Sequence, residues 1–309
     1  MDLQQLETFL AVVEERSFSR AAQRMMRTQP AVSQVIRKLE EELGEPLFER
    51  ALRDGSLTAA GEVLRDYAQR LVGLRAEAAS AVRELKTLER GHLNLAANEY
   101  TTLYLLPLLD RFRRISPHIS LGVQRSLASR IPDDLLARRA ELGVLSFRPD
   151  PEQFRSILVY SDAVAFLVHA RHPLAGRRRV HLRELGAQNF VAHNVASPLR
   201  RQIVTTFAEH KTPLNIGVEL PSLEAVKRFV SMGNGVAFMP ELAAAREIER
   251  GELVKVPIAE VKLERHLRLV YRRAGALSHS AVAFLQAVRA FATEQGRPFL
   301  HVPESDAEA

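Results

Sequence analysis

The stretch from Ser17 to Gly44, SFSRAAQRMMRTQPAVSQVIRKLEEELG, constrains the fold more than any other. It reads as two short helices around a tight corner. Ser17 or Ser19 can cap the first, because a serine hydroxyl accepts from a free backbone N–H of an opening turn. Ala21, Ala22 and Met25 form its apolar stripe. Thr28 can cap the second helix, and Pro30 falls in its first turn, where a missing N–H is harmless. Ala31, Val32, Val35, Ile36, Leu39 and Leu43 then recur at helical spacing, and Gly44 follows as a stop. The opposite face carries Gln29, Ser33, Gln34, Arg37 and Lys38.

Charge placement adds chemistry to this hairpin. Between Arg16 and Leu39 lie six basic residues (Arg16, Arg20, Arg24, Arg27, Arg37, Lys38) and no Asp or Glu, while residues 1–57 as a whole hold eight Lys/Arg against ten Asp/Glu. The basic charge is therefore segregated onto one motif, as a phosphate-facing surface requires. A second helix with short polar side chains near its N-terminus suits a major groove. The competing reading is a helical hairpin with a solvated basic face.

The residues from LQQLETFLAVVEERSFSRAAQRM through RTQPAVSQVIRKLEEELGEPLFER to LTAAGE resemble the DNA-binding end of the LysR-type transcriptional regulators. An opening helix with Phe9, the S-F-S-R-A-A corner, T-Q-P-A-V-S-Q, L-E-x-x-L-G, P-L-F-E-R and L-T-x-A-G come in the family's order, a far more extended pattern than any short motif. The resemblance implies a sequence-specific regulator whose recognition helix begins near Thr28. On it Gln29 and Gln34 are the candidates for base edges, because an amide can pair bidentately with adenine. Thr28, Ser33 and Arg37 are candidates for phosphates, with Pro30 and Lys38 on the same surface.

Flanking segments fit this plan. Residues 2–15 form an amphipathic helix striped by Leu3, Leu6, Phe9, Leu10 and Val13. After Gly44, the short apolar Leu47-Phe48, a turn around Asp54-Gly55 and a returning strand predict the hairpin of a winged helix-turn-helix. Arg50 and Arg53 flank that turn, either reaching DNA backbone or minor groove or remaining solvated surface charges. Thr58 can cap a long helix running to about Arg90. In it Leu64, Leu71, Ala78 and Leu85 are seven apart, with Tyr67, Leu74, Ala81 and Leu88 three residues after each, the pattern of a two-helix seam. In the resembled family this helix joins two subunits, and a dimer suits a near-palindromic promoter site on double-stranded DNA. Family habit extends that to a homotetramer and leaves RNA polymerase as a further candidate partner.

Beyond Gly91 short apolar strands alternate with helices. Strands are expected at 93–97, 119–124, 141–147, 157–169, 190–194, 214–220, 235–240 and 267–273. Helices are expected at 103–115, 132–140, 198–210, 222–232 and 280–292. The alternation implies a mostly parallel sheet with helices on both faces, and the tandem repeat resembles the two-lobed, periplasmic-binding-protein-like α/β domain of the same regulators. The expected organisation is an α+β multi-domain chain. It comprises a winged helix-turn-helix at 1–57, a linker helix at 58–90 and an effector-binding domain at 91–309. In that domain lobe I takes about 91–160 and 265–300, and lobe II about 161–264. The acidic tail PESDAEA is expected to fray.

In sheets of this type ligands sit outside the carboxyl ends of strands. The first strand ends at Ala97, so Asn98, Tyr100, Thr101 and Thr102 become candidates for a small-molecule effector, although Thr101 or Thr102 could simply cap the next helix. Residues 100–102 fall where the resembled family places Ser/Thr effector contacts; Tyr100 at the commonest of those positions is a departure, and Glu99 is unusual beside a site often built for anions. Ser126 and Ser129, with Arg130, follow the second strand, and His193, Asn194 and Ser197, with Arg200, lie in AHNVASPLRR of the second lobe. Gly233 and Gly235 are read as backbone-shaping, Met239 as core, and RHPLAGRRR at 171–179 as a solvated basic loop.

Composition narrows the alternatives. At 309 residues two or three domains are expected. A formal charge of +6 favours a polyanionic partner. No cysteine is present, which excludes disulfides and thiolate metal sites. No metal site and no cofactor are expected. The opening MDLQQLETFL has no basic n-region or long apolar h-region, and no run of eighteen apolar residues occurs, so neither a signal peptide nor a membrane span is expected and the protein is placed in the cytoplasm. That argues against a solute-binding transport protein. No G-x-S-x-G, P-loop, H-E-x-x-H or zinc spacing supports an enzyme.

Overall fold

A computed structural model describes residues 1–49, 56–86, 91–260 and 263–304, with residues 77 and 80–86 as backbone. The chain divides into two compact units.

The first unit begins with α1 (Leu3–Glu15), opened by a capping box in which the Asp2 carboxylate accepts from Gln5 N–H at 2.8 Å and the Gln5 side chain accepts from Asp2 N–H at 2.6 Å. Ser17, not Ser19, caps α2 (Phe18–Arg24). Thr28 caps α3 (Gln29–Leu43), Pro30 lies in its first turn, and Gly44 closes it at φ +75°. Leu43 leaves the expected stripe and is exposed in the last turn of α3. Two amides after α3 are held by the Glu40 carboxylate, which accepts from Leu47 N–H at 2.7 Å and Phe48 N–H at 3.4 Å. Phe48 then pairs antiparallel with Leu57, the base of the expected hairpin. Its turn, with Arg50, Arg53, Asp54 and Gly55, lies outside the described residues. Thr58 donates its hydroxyl proton to the Pro46 carbonyl at 2.6 Å and accepts from Gly61 N–H at 3.0 Å, opening α4 (Ala59–Lys86). Gly61 is needed for this approach: a Cβ there would collide with the Leu47 carbonyl. The core gathers Leu6, Phe9, Val12, Ala21, Val32, Ile36, Leu39, Leu47 and Phe48, with Leu64 and Ala68 from α4.

The second unit contains both lobes. β1 (His92–Ala97), α5 (Glu99–Ile115), β2 (Ser120–Arg125), α6 (Ile131–Leu136) and β3 (Leu142–Leu145) build the parallel part of the first, with β1 between β2 and β3. The sequence places this helix at 103–115. Instead α5 starts at Glu99, because Asn98 and Thr101 form a capping box, and Pro107 is carried inside it. β4 (Phe154–His169) is sixteen residues long and passes from the first lobe into the second. The second lobe holds α7 (Leu182–Leu185), β5 (Asn189–His193), α8 (Pro198–Glu209), β6 (Asn215–Leu220), α9 (Leu223–Ser231), β7 (Ala237–Pro240), α10 (Ala245–Glu249) and β8 (Leu253–Lys255). β9 (Glu264–Arg272) crosses back, and α11 (His279–Gln295) and β10 (Phe299–Pro303) finish the first lobe.

The main sheet is mixed rather than mostly parallel, and β5 and β6 form a separate two-stranded sheet. β1–β2, β1–β3 and β5–β6 are parallel, but β9 pairs antiparallel with β3 and β4, and β7, β8 and β10 pair antiparallel with β4. The cause is the return crossing: a strand that brings the chain back from the second lobe runs against the one that left. Where they cross, Asp162 and Arg265 are register partners, each 6 % exposed, joined by two bonds of 2.8 and 2.9 Å. Leu93, Leu95, Tyr104, Phe112, Val159, Leu267 and Phe284 fill the first lobe, and aromatic Phe166, Phe190, Phe207 and Phe238 cluster in the second.

Of the tail expected to fray, Pro303 and Glu304 are held in place, and residues 305–309 lie outside the described residues. β10 pairs with β4, and the Glu304 carboxylate takes the Arg268 guanidinium at 2.9 Å and the Ser156 hydroxyl. Arg268 is buried and needs an anion, which explains why so polar a segment holds its place. Burial alone would raise the Glu304 carboxyl, but Ser156 and Arg268 outweigh it and hold it below the ordinary 4.5. A lowered folded value means stability that is full above about pH 4.5 and lost as pH falls through the folded value. Glu304→Gln should therefore lower the stability of this unit by about 1–2 kcal/mol at pH 7, and the gap to wild type should close on acidification below pH 4.5. Thermal unfolding across pH checks both; a gap that is constant with pH would mean that packing, not charge, holds β10.

Candidate functional sites

α3 segregates its side chains sharply. Val32, Ile36 and Leu39 are buried, whereas Gln29, Gln34, Arg37 and Lys38 are exposed and Ser33 is half-buried. Gln29 donates to the Ser33 hydroxyl at 2.9 Å, so the two polar groups are held together on the surface. Arg37 meets Glu41 at 3.1 Å, but both are well exposed, and such a pair contributes little and yields readily to a phosphate. Thr28 caps the helix, its hydroxyl accepting from Ala31 N–H at 3.4 Å, with Pro30 exposed beside it.

The basic residues of this region do not all share that face. Arg24 is held by Glu14 at 2.6 Å and Glu15 at 3.3 Å, and its guanidinium pKa is raised by the bond to Glu14 and that residue's charge. Arg20 donates to the Glu15 carbonyl at 3.1 Å. Both meet the C-terminal end of α1 rather than standing on the exposed face of α3.

On α4 the expected seam divides in two. Leu64 is buried in the first unit's own core beside Ala68, because α1 packs over that turn, so it does not face a partner helix. Tyr67, Leu71, Leu74 and Ala78 remain exposed, and Val63 joins them one turn earlier. Leu85 lies among the residues described as backbone.

In the second unit a cleft of about 300 Å³ opens between the lobes, lined by Asn98, Glu99, Tyr100, Arg125, Ser126, Leu127, Ala128, His193, Val195, Ala196 and Ser197. Glu99 is the first residue of α5, yet its Oε1 accepts from Leu223 N–H, at the start of α9 in the other lobe, at 2.7 Å. Its Oε2 is enclosed, 3.5 Å from His193 Nε2 and 3.9 Å from Arg125 Nη2, with no hydrogen bond. The His193 side chain is 4 % exposed, and its Nε2–H is directed at the Pro221 carbonyl at 3.1 Å. Tyr100 packs edge-on against that imidazole, ring centroids 5.4 Å apart. Burial, and then the neighbouring Glu99 charge, push the Tyr100 phenol well up, so it stays protonated. Behind Tyr100 and His193 a smaller space of about 50 Å³ has apolar walls from Phe190, Ile203, Leu214, Ile216 and Phe238.

The sequence-predicted ligand residues separate accordingly. Asn98, Tyr100, Ser126, His193 and Ser197 come together around the cleft. Thr101 and Thr102 do not: Thr101 is buried in the capping box, and the Thr102 hydroxyl donates to the Asn98 carbonyl at 2.8 Å. Ser129 and Asn194 are exposed outside the lining. Two lining hydroxyls are already engaged, Ser126 with Asp134 and Ser197 as the cap of α8. Reasoning from sequence passed over Arg125, the last residue of β2, although the strand-end rule that selected Ser126 applies to it equally. Among the described residues no group of three or more His, Asp or Glu could hold a metal ion, and no helix is long and apolar enough to cross a membrane.

Comparison with known proteins gives these features their context. The chain matches the family described as bacterial regulatory helix-turn-helix protein, lysR family, over residues 3–62, and the LysR substrate binding domain over residues 86–293. It is 30 % identical over 293 residues to a probable RuBisCO transcriptional regulator of Synechocystis sp., covering 93 % of this chain and 85 % of that one. It is 33 % identical over 276 residues to a protein of the same name from Guillardia theta, covering 87 % and 89 %. Among solved structures, CbnR, a LysR family transcriptional regulator, superimposes with a TM-score of 0.72 at 20 % identity, over 94 % of this chain and 99 % of that one. Full-length CbnR complexed with its target DNA gives 0.71, with the same identity and coverage. The family and these relatives are regulators rather than enzymes. With one family match on the helix-turn-helix and another on the two-lobed unit, this chain belongs to the LysR family of bacterial transcriptional regulators.

Proposed function

We propose that this regulator reads a near-palindromic promoter site on double-stranded DNA as a homodimer or homotetramer, and that a small-molecule effector in the cleft between the lobes resets its grip. The observation that carries the DNA reading is the α3 face, where Gln29, Gln34, Arg37 and Lys38 stand exposed around Ser33, opposite a buried apolar stripe. The solved complex of CbnR with its target DNA, a protein of the same fold, supports it. Gln29 and Gln34 would read base edges, and Thr28, Ser33, Arg37 and Lys38 would hold phosphates.

The work divides among a DNA-binding domain at 1–57, a linker helix at 58–90 and an effector domain at 91–309. Subunits would pair through Tyr67, Leu71, Leu74 and Ala78, an exposed stripe at the spacing of a two-helix seam. Effector contacts would come from Tyr100 and His193, with Asn98, Ser126 and Ser197 shaping the lining through their bonds to the protein itself. Binding there would shift the subunits and so the spacing of their recognition helices. A cytoplasmic location and contact with RNA polymerase fit this role.

The test is a gel-shift titration of the full chain on its own upstream region, with and without a metabolite panel. Gln34→Ala should relax base preference at one position per half-site and cost about 1–3 kcal/mol there. An equal loss on every sequence would reduce Gln34 to a backbone contact. Leu71→Lys should place a charge in the seam and split the oligomer. Elution as the same oligomer with unchanged DNA affinity would remove α4 from the subunit contact.

A further inference from the structure

We infer that the cleft is built for a ligand carrying an ammonium group beside a carboxylate, an α-amino acid; this rests on the reading of the cleft as the effector site. The inference starts from two enclosed acceptors. Glu99 Oε1 is used by Leu223 N–H, but Oε2 meets no donor among the described residues. His193 is the second. Both groups facing its Nε2, the Pro221 carbonyl at 3.1 Å and the Glu99 carboxylate at 3.5 Å, are acceptors, so Nε2 carries the proton. In the neutral ring Nδ1 is then an acceptor, and it too is enclosed without a partner. An acceptor taken from water and left unmatched is unfavourable.

A ligand that brings only acceptors, such as a simple carboxylate or a phosphate, would add to that mismatch. An ammonium brings three donors and a charge opposite to that of Glu99. The rim supplies the complement. Arg125 projects from the end of β2 with its side chain 73 % exposed, 3.9 Å from Glu99 Oε2 and without a hydrogen bond to it. A guanidinium is suited to a carboxylate, which it can grip with two parallel bonds. One acid and one base side by side thus match a zwitterion. Leu127, Ala128, Val195 and Ala196 offer apolar walls to a side chain, and about 300 Å³ is room for a small molecule. Ser126 and Ser197 do not compete, since Asp134 and the α8 N-terminus occupy them.

The experiment is calorimetric titration of the full-length protein with each of the twenty proteinogenic L-amino acids. Each binder is followed by its deaminated acid and its decarboxylated amine, and a parallel arm holds acetate, succinate, benzoate, glycerol and glucose. At least one amino acid should bind, with at least tenfold loss when its amino group is removed and a similar loss in Glu99→Gln. Glutamine keeps the acceptor for Leu223 N–H, so the unliganded variant should unfold at a temperature close to wild type, and its weakened binding then reports the lost charge. Binding of no amino acid, equal binding of a deaminated acid, or wild-type affinity in Glu99→Gln would each overturn the proposal. If a member of the parallel arm binds and alters the gel shift instead, the ligand class falls while the effector reading stands. Silence in both arms takes away the support for both.

Discussion

Two opposite charges removed from water pin together the two long strands of the effector unit, β4 and β9. Asp162 and Arg265 sit opposite each other on the only two strands that run between the lobes among the described residues, β4 outward and β9 back. Burial of such a pair is costly and is offset only by good geometry and full hydrogen bonding. Here the guanidinium makes both carboxylate bonds and a third, at 3.2 Å, to the Tyr100 carbonyl. The pairing demands one register of β4 against β9, since a slip by one residue would turn each charge to the other face. The same guanidinium ties the crossing point to the first turn of α5, where Glu99 and Tyr100 form the floor of the cleft. The position of the side chains that line the cleft therefore depends on a contact outside that lining.

How much of this could be read from the chain follows from how far apart the interacting residues lie. The helix-turn-helix was legible because its determinants are neighbours: Ser17 before α2, Thr28 and Pro30 opening α3, Gly44 closing it. The strand order was partly legible, since alternation implies crossover units, but the antiparallel return of β9 is a pairing across more than one hundred residues and leaves no periodic trace. Glu304 looked like part of a polar tail because its partner, Arg268, is on another strand. Likewise Glu99 is an odd acid after a strand until Leu223, 124 residues later, is seen to supply its N–H. The strand-end rule picked several residues that line the cleft but not how their side chains are engaged. Thr101 and Thr102, chosen for their hydroxyls, use them on the backbone of their own helix, while the aromatic Tyr100 and the basic Arg125 line the opening.

The N-terminal motif carries a related lesson about counting charge. A run free of acids from Arg16 to Leu39 signals a partner, yet Arg20 and Arg24 are held by the end of α1. Which of the basic side chains stand on the exposed face of α3 is a property of helical phase rather than of composition.

Leu64 and Ala68 give the chain an awkward seam for recombination. Because α4 contributes them to the same core as Phe9 and Phe48, and Thr58 and Gly61 clasp the segment before it, the first ten residues of that helix belong to the head as much as to the rod. Exchange of heads between related regulators would succeed only with junctions placed beyond Ala68. A crossover at the helix start would part Leu64 and Ala68 from the core they fill and leave it short of side chains.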